Sequence, residues 1–309
     1  MNTQREHEIV NHSGMKLLEI FLVDVTSGRA HGHSDLEIGM VLSGSPLLYI
    51  DTDQIRLMPG DIYVINRYQI HAFRAEDQNL ILAFRINADF FRNLSCEYEF
   101  IRFERTLITS CFPDRTLHRM LQESAGIYFN AGPYYEIRCL SEISRILYLL
   151  LTQVPCRAAG EQAFVSAKNN AQRLERILNY LSEHHTGQVS LQDLADLEGV
   201  SVWHISHFIT DMIGISFQEY LNNLRFEHAM QLIYSTDLTI QDICTSSGFS
   251  GSRYLNQMFQ KHFGCSAREY RNLKQKPPMR HAALPTGNIR TRYPIEFSEN
   301  LLEKYMEEL

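Results

Sequence analysis

The sequence predicts an α+β protein of two domains, with a strand-rich N-terminal barrel, helices beside it and an all-helical C-terminal unit. Three observations lead to this fold class. The chain has 309 residues, about twice the length of a typical domain. Residues from about 15 to 90 form short apolar runs between turn residues. Residues from about 171 to 273 instead show helical periodicity.

Composition and charge narrow the classes of function. Apolar residues make up 44% of the chain and charged residues 21%, which is typical of a folded globular protein. The formal net charge is −7, so any contact with nucleic acid has to be local and specific. No apolar run is long enough to cross a membrane, and residues 1–12 lack a secretory signal. We therefore expect a cytoplasmic protein with no membrane partner.

The N-terminal unit is predicted to be a small barrel or sandwich. Glycine, proline, aspartate and asparagine separate its apolar runs, which recur at roughly ten-residue spacing. The predicted strands are residues 36–42, 47–50, 62–65 and 80–86.

Residues from about 114 to 153 are predicted to form two helices next to the barrel. Apolar residues recur there at steps of three and four, which gives the second helix one broad apolar face. The chain's own barrel is one candidate to cover this face, which includes Leu140, Ile143, Leu147, Leu150 and Leu151. The expected division is a first domain over 1–153, a linker over 154–170, a second domain over 171–275 and a tail over 276–309.

Two helix-turn-helix patterns occupy the C-terminal unit. In the first, Ala195 is the small residue where two helices touch, Gly199 makes the turn and Ser201 caps the second helix. Its apolar positions are Val200, Ile205 and Ile209, and the pattern recurs with Cys244, Gly248, Phe249, Leu255 and Phe259. The helix predicted between them spans roughly 27 Å, which is near the ~34 Å between successive major-groove faces on one side of DNA.

With these motifs, residues 173–271 resemble the DNA-binding domain of the AraC/XylS family of bacterial transcription regulators. The matching segments are LQDLADLEGVS, FQEYL with LRFEHA, and IQDICTSSGFSGSRYLNQMFQKHFGCSAREYR. The resemblance implies double-stranded DNA as a partner, a homodimer formed through the helix with the apolar face, and contact with RNA polymerase. It also implies activation of transcription under the control of a small-molecule effector such as a sugar.

The base-reading positions of that family fall on the outer face of each recognition helix. In the first helix they are Trp203, Ser206, His207 and Thr210; in the second they are Arg253, Asn256 and Gln257, with Gln260 and Lys261 nearer the DNA backbone. The spacing independently places each set on one helical face, opposite the apolar positions. His204 lies off this face and is expected to be partly buried.

Positive charge is scarce on the first recognition helix, since residues 202–213 contain neither lysine nor arginine. A basic run follows the second motif, and it either adds to DNA affinity or forms a solvated tail. The run consists of Arg268, Arg271, Lys274, Lys276, Arg280, Arg290 and Arg292.

A histidine-rich motif in the N-terminal unit resembles the first motif of the cupin fold, with His31, His33 and Glu37 followed by Gly44. Residues 59–66 resemble a reduced second motif, in which Tyr63 stands where metal-binding cupins have their last histidine. The resemblance implies a cupin-like barrel, and we expect it to hold no metal and no cofactor. The candidate contacts for a small-molecule effector are His31, His33, Glu37, Tyr63, Asn66, His71 and Arg74.

The preferred interpretation is a ligand-responsive transcription regulator that is not an enzyme. Two alternatives stay open. Two histidines and a glutamate are also donors for a divalent metal, as in a metal-dependent cupin enzyme with a helical appendage. In the second alternative, the protein is a regulator that senses no ligand, and its barrel serves only as a scaffold for the dimer.

Overall fold

A curled antiparallel sheet forms the N-terminal part of the computed structural model, which describes residues 15–51, 53–273, 286 and 289–306. Its first seven strands are β1 (Leu18–His31), β2 (Leu36–Ser43), β3 (Leu47–Ile50), β4 (Asp53–Arg56), β5 (Ile62–Ile65), β6 (His71–Arg74) and β7 (Leu80–Ile86). They lie in the order β4-β3-β6-β1-β7-β2-β5. The cupin-like sheet that the sequence predicts is confirmed, and β3, β5 and β7 have the predicted bounds.

The alternation of side chains along β2 separates two cores. Leu36, Ile38 and Met40 are buried on one face of the sheet, in a core shared with the helices. Val41 is buried on the other face, which lines the hollow of the barrel. Glu37 lies on the same inner face as Val41, because successive side chains of a strand point to opposite sides.

Three helices cover the outer face of this sheet, and a second, two-stranded sheet follows. These elements are α1 (Ala88–Leu94), β8 (Ile101–Phe103), α2 (Thr116–Asn130), α3 (Tyr135–Gln153) and β9 (Cys156–Ala158), of which β8 and β9 pair antiparallel. The predicted apolar face of α3 packs on its own chain: Ile143, Leu147 and Leu150 are buried in the shared core. Leu140 and Leu151 are half-buried against the same core. The core between the sheet and the helices of the same chain therefore covers this face of α3.

α4 (Glu161–His184) begins within residues 154–170, the segment that the sequence predicts as the linker. The small residues of this segment include alanines, and alanine is the strongest helix former. Phe164 also anchors the first turns of α4. Its ring meets those of Tyr68 and Phe100 edge-on, with centroids 5.4 Å apart in each pair.

Six further helices complete the C-terminal unit. They are α5 (Leu191–Glu198), α6 (Val202–Ile213), α7 (Phe217–Ser235), α8 (Ile240–Ser246), α9 (Ser252–Phe263) and α10 (Ala267–Asn272). Both turns hold the predicted glycine in the left-handed region, with φ of 65° at Gly199 and 82° at Gly248. A Cβ at Gly248 would also lie 2.6 Å from the carbonyl oxygen of His185, so this turn packs against the end of α4. Within the described part of the chain, no helix is long and apolar enough to cross a membrane.

Each helix-turn-helix has its own core, and α7 contributes to both. The predicted apolar positions Ile205 and Ile209 are buried in the first core. Leu255 and Phe259 are buried in the second. The N-terminal half of α7 packs in the first core and its C-terminal half in the second, so this helix joins the two motifs.

α4 packs on the outside of β1 and β6 and thereby connects the two units. Ala171 of α4 contacts Gly32, where a Cβ would lie 3.1 Å from the Cβ of Ala171. Ala30 and Ala72 belong to the same buried cluster as Ala171 and the first helix-turn-helix. The barrel and the C-terminal unit therefore share one core.

The chain returns to the barrel after the second motif. β10 (Ile289–Arg292) pairs antiparallel with β1, and α11 (Ile295–Met306) packs against α2. Leu302 is 1% exposed in the core below α2. Nη1 of Arg292 donates a hydrogen bond over 2.8 Å to Oε1 of the buried Glu19. The end of the chain is thus held by the barrel.

Part of the predicted basic run is committed to contacts within the chain. Arg292 pairs with Glu19, and Nη1 of Arg271 donates to the carbonyl oxygen of Leu238. These two side chains therefore do not form a solvated tail. Three members of the run lie outside the described residues: Lys274, Lys276 and Arg280.

We expect Leu302→Ala to destabilise the barrel, although residue 302 lies near the end of the chain. Truncating a buried leucine costs about 2–5 kcal/mol. Denaturant unfolding measures the loss, and Glu303→Ala is the matched control because Glu303 is exposed on the same helix. Equal stability of the two variants would show that α11 does not dock on the barrel.

Candidate DNA-binding surface and barrel site

The first recognition helix, α6, presents the predicted residues to solvent. Trp203 is 69% exposed and packs on His207, with ring centroids 4.2 Å apart. Nδ1 of His207 donates to the carbonyl oxygen of Trp203 over 2.8 Å, which fixes this pair of rings. His207 and Thr210 are exposed, and Ser206 is half-buried. All four side chains lie on the face opposite the buried isoleucines.

His204 is exposed, so the prediction of partial burial is wrong. Its Nε2 lies 3.3 Å from Nη1 of Arg173 on α4, and this contact replaces burial in the core. Arg173 and Arg176 both bind Glu198 at the end of α5, with the shortest distance 2.7 Å from Nη2 of Arg176. Burial alone would raise the pKa of Glu198, but the two arginines lower it. One carboxylate therefore holds both cations beside α6, and one positive charge of the pair stays uncompensated by it.

The second recognition helix, α9, exposes most of its predicted residues. Arg253, Gln257, Gln260 and Lys261 are exposed. Asn256 is half-buried instead, and its Oδ1 accepts the backbone N–H of the first residue of α10 over 3.0 Å. Asn256 therefore holds α10 against α9, and its side chain is only partly available to a DNA base.

Three histidines meet in the hollow of the barrel: His31 on β1, His33 just after it and His71 on β6. One ring nitrogen of each lies within 4.8 Å of one from the other two. The ring centroids of His31 and His71 are 4.2 Å apart, and those of His33 and His71 are 5.1 Å apart. Each Nδ1 lies 2.9–3.0 Å from a backbone carbonyl oxygen two residues away, which fixes the orientation of each ring.

Glu37 is the centre of a buried polar network beside these histidines. Its Oε2 lies 3.2 Å from Nε2 of His33 and 3.2 Å from Nε of Arg85. The hydroxyl of Tyr63 donates to its Oε1 over 3.3 Å. Gly39 makes room for the tyrosine ring, since a Cβ there would come within 1.9 Å of it.

Burial and neighbouring charges set the protonation states of this network. Burial alone would raise the pKa of Glu37, but the hydrogen bond from His33 and the adjacent guanidinium hold it well below its ordinary value. Burial and then the neighbouring histidines lower the pKa of His71 well below its ordinary value. Burial and the nearby carboxylate raise the pKa of Tyr63. At neutral pH the site therefore offers a carboxylate, a neutral imidazole at His71 and a protonated tyrosine.

The donor set partly fits a divalent metal ion. Three imidazoles and a carboxylate are typical ligands of zinc, iron or manganese. However, Glu37 is already bound by the guanidinium of Arg85, which supplies the positive charge that a metal would bring. This ion pair leaves the carboxylate less available to a metal ion.

Two predicted residues do not reach the histidine cluster. Oδ1 of Asn66 accepts the backbone N–H of Phe103 over 2.7 Å, and its Nδ2 donates to Gln69 and to the carbonyl oxygen of Phe103. Asn66 is thus a structural residue that ties β8 to the loop after β5. Arg74 shares a face of β6 with the outward-facing Ala72, because side chains alternate along the strand.

Sequence reasoning missed Arg85, which pairs with Glu37 across β7 and β2. The residue stands in the otherwise apolar run LILAFRI of β7. A charged residue inside a strand that is buried on both faces requires a partner. This pattern in the sequence indicates that Arg85 has a buried partner. Which residue is the partner depends on the pairing of β7 with β2.

Each of the two units matches a known protein family. Residues 194–273 match a family of helix-turn-helix domains, and residues 18–84 match a family of cupin domains. The first match runs from within α5 to the end of α10, and the second runs from the start of β1 into β7.

Curated relatives agree with these matches. An uncharacterized HTH-type transcriptional regulator of Staphylococcus aureus (strain MSSA476) is 27% identical over 235 residues, which are 74% of this chain and 30% of the relative. The HTH-type transcriptional activator RhaS of Enterobacter sp. (strain 638) is 32% identical over 104 residues, which are 34% of this chain and 37% of RhaS. The chain thus spans about a third of the length of these relatives.

Among solved structures, ToxT from Vibrio cholerae O395 matches with a TM-score of 0.37 and 13% identity over 83% of this chain and 98% of that chain. The C-terminal domain of AraT, a response regulator from Geobacillus stearothermophilus, gives a TM-score of 0.31 and 28% identity over 36% of this chain and 91% of that chain. On the family matches and the curated relatives, the chain combines an N-terminal cupin domain with a C-terminal helix-turn-helix domain of the AraC type, the domain pair of the AraC/XylS regulators that its sequence resembles.

Proposed function

We propose that the chain is a sequence-specific, DNA-binding regulator of transcription. The observation that carries this proposal is the pair of exposed recognition faces on α6 and α9, joined by the 19-residue helix α7. At 1.5 Å per residue α7 is about 28 Å long, close to the ~34 Å repeat of the major groove. Because α7 is buried in both cores, it acts as a rigid spacer between the two faces.

In this proposal α9 reads bases and α6 positions the protein. The guanidinium of Arg253 matches O6 and N7 of guanine, and the amide of Gln257 matches N6 and N7 of adenine. Gln260 and Lys261 lie further along α9, within reach of the DNA backbone. The outer face of α6 carries no lysine or arginine. It suits hydrogen bonds to the deoxyribose and phosphate groups of the DNA backbone. The residues on this face are Trp203, Ser206, His207 and Thr210.

We propose residues 1–153 as the sensor domain and the hollow of the barrel as its effector site. His31, His33 and His71, with Glu37 and the Tyr63 hydroxyl, offer both donors and acceptors of hydrogen bonds. Such a set suits a hydroxyl-rich small molecule such as a sugar, and small barrels hold ligands of this size. We also propose that the chain activates transcription, which extends the printed name of RhaS to this chain. RNA polymerase as a partner is proposed from the resemblance to the AraC/XylS family alone.

We propose that the chain forms a homodimer through the outer face of α3. The inner face of that helix is buried in its own chain, whereas Ile137 and Tyr148 are 69% and 71% exposed. A pair of such helices would remove these apolar side chains from water.

The base-reading role of Arg253 predicts that Arg253→Ala costs about 1–3 kcal/mol of binding to a selected DNA site and relaxes the preference at one base pair. The measurement compares affinities for the selected site and a scrambled site. Arg119→Ala is the control, because Arg119 is exposed on α2, outside both recognition helices and the proposed dimer face of α3. An equal loss of affinity on both DNA sequences would make Arg253 a phosphate contact.

The metal alternative is favoured by one observation, the three converging histidines, and it has its own test. Because Arg85 already neutralises Glu37, we expect chelator-treated protein to keep its thermal midpoint and its DNA affinity. Elemental analysis of the purified protein should find well below one metal ion per chain. One tightly held equivalent, with a lower thermal midpoint after chelation, would instead support a metal-dependent cupin.

The homodimer predicts that Tyr148→Glu gives folded monomers in sedimentation experiments at micromolar concentration. A charge on the exposed face of α3 opposes its burial between subunits but leaves the intrachain core intact. Leu147→Glu is not suitable, because Leu147 is 4% exposed in the chain's own core. A monomeric wild type under the same conditions would contradict the proposed dimer.

A further inference from the structure

A cavity of about 400 Å³ lies outside the barrel hollow, between the small β8–β9 sheet and the first turns of α4. Three arginines line it, Arg67, Arg102 and Arg157, and its lining contains no acidic residue. This is unusual in a chain whose formal net charge is −7. None of the three clustered histidines lines the cavity, so it is distinct from the proposed effector site.

Arg67 is buried in the wall of this cavity, and no carboxylate of the described residues lies within ion-pair distance of it. The side chain is 5% exposed. Its Nε and Nη1 donate to the carbonyl oxygens of Ser34 and Glu99 over 2.8 Å each, and both of these acceptors are uncharged. Among the described residues its Nη2 has no hydrogen-bond partner. The carboxylate of Glu99 faces Arg92 instead, at 3.0 Å.

A buried arginine keeps its charge and is costly to a fold unless an anion compensates it. The other two arginines are closer to solvent and only loosely paired. Arg102 lies 3.9 Å from Asp51, and Arg157 lies 3.7 Å from Glu104. The side chain of Arg157 is 72% exposed, so it can turn towards an anion in the cavity.

The beginning of α4 adds a second source of positive potential. Its N-cap is Gly160, which has no side chain to accept the first backbone N–H groups of this 24-residue helix. Gly160 and Ala163 both line the cavity. The aromatic part of the wall is Phe100 and Phe164, and the guanidinium of Arg67 lies 4.7 Å from the Phe164 ring centroid. The cavity thus pairs a cationic end with an apolar wall.

We propose that this cavity binds a small organic anion, a carboxylate or a phosphate ester with an apolar or aromatic body. The anionic group meets Arg67, Arg157 and the N-terminus of α4, and the body packs on the two phenylalanines. The volume is in the range of metabolite-sized sites. Because α4 is the first helix of the C-terminal unit, the bound anion fixes that unit against the barrel. This regulatory consequence rests on the proposed function, whereas the binding itself does not.

Isothermal titration of the full chain with 4-phenylbutyrate and with phenyl phosphate tests the binding, and 4-phenylbutan-1-ol is the matched neutral probe. At least one anion should bind at least about tenfold more tightly than the alcohol. Comparing the two anions shows whether the site takes a carboxylate or a phosphate. Arg157→Gln and Ala163→Trp should each weaken anion binding at least about tenfold, since one removes a cation and the other fills the cavity.

Arg145→Gln, an exposed arginine on α3, is the control and should bind the anions like the wild type. Both substitutions that should weaken binding are at exposed positions, so thermal unfolding should show intact folds. The proposal is overturned if the alcohol binds as tightly as both anions, if neither anion binds, or if Arg145→Gln weakens binding as much as Arg157→Gln. The affinity of the protein for DNA is measured in a separate experiment, without the two anions or the alcohol. If the protein binds the anions as predicted but shows no specific DNA binding, the proposed function is refuted and the proposed anion site stands.

Discussion

The packing of α4 against the outside of β1 and β6 is the contact on which the arrangement of the whole chain depends. Those strands carry His31 and His71 towards the barrel hollow, while Ala30 and Ala72 face α4. The approach is close because residue 32 is a glycine, where a Cβ would lie 3.1 Å from that of Ala171. Under the proposed function, this direct contact between small side chains is the route by which a shift of the strands at the histidines would reach the first helix of the DNA-binding unit.

The return of the chain to the barrel adds a second connection between the units. β10 and α11 dock on the barrel, where Arg292 pairs with Glu19 and Leu302 enters the core. The backbone N–H of Thr286 also donates to Oε1 of Glu227 on α7 over 3.3 Å. The helical unit is thus attached to the barrel at both of its ends. Coupling between an effector site and DNA typically amounts to about 1–3 kcal/mol, and two attachments provide a physical route for it.

The sequence predicts the features that depend on local pattern. The glycine turns, the buried faces of α6 and α9, and the strands with uninterrupted apolar runs need only neighbouring residues. Features set by long-range pairing depend on the folded chain and cannot be predicted from neighbouring residues. Arg85 joins the polar network through strand register, and Arg74 leaves it because it lies on the outer side of β6. Spacing predicts Asn256 as a base-reading residue, and the structure adds that its Oδ1 accepts a backbone N–H of α10, a helix that begins eleven residues later.

Differential scanning calorimetry of the full chain tests most directly whether the barrel and the DNA-binding unit are joined through α4. The account predicts one cooperative unfolding transition in the wild type. It predicts two separated transitions in Ala171→Trp, because an indole does not fit between α4 and Gly32. Two independent transitions in the wild type, both unchanged in Ala171→Trp, would contradict the shared core.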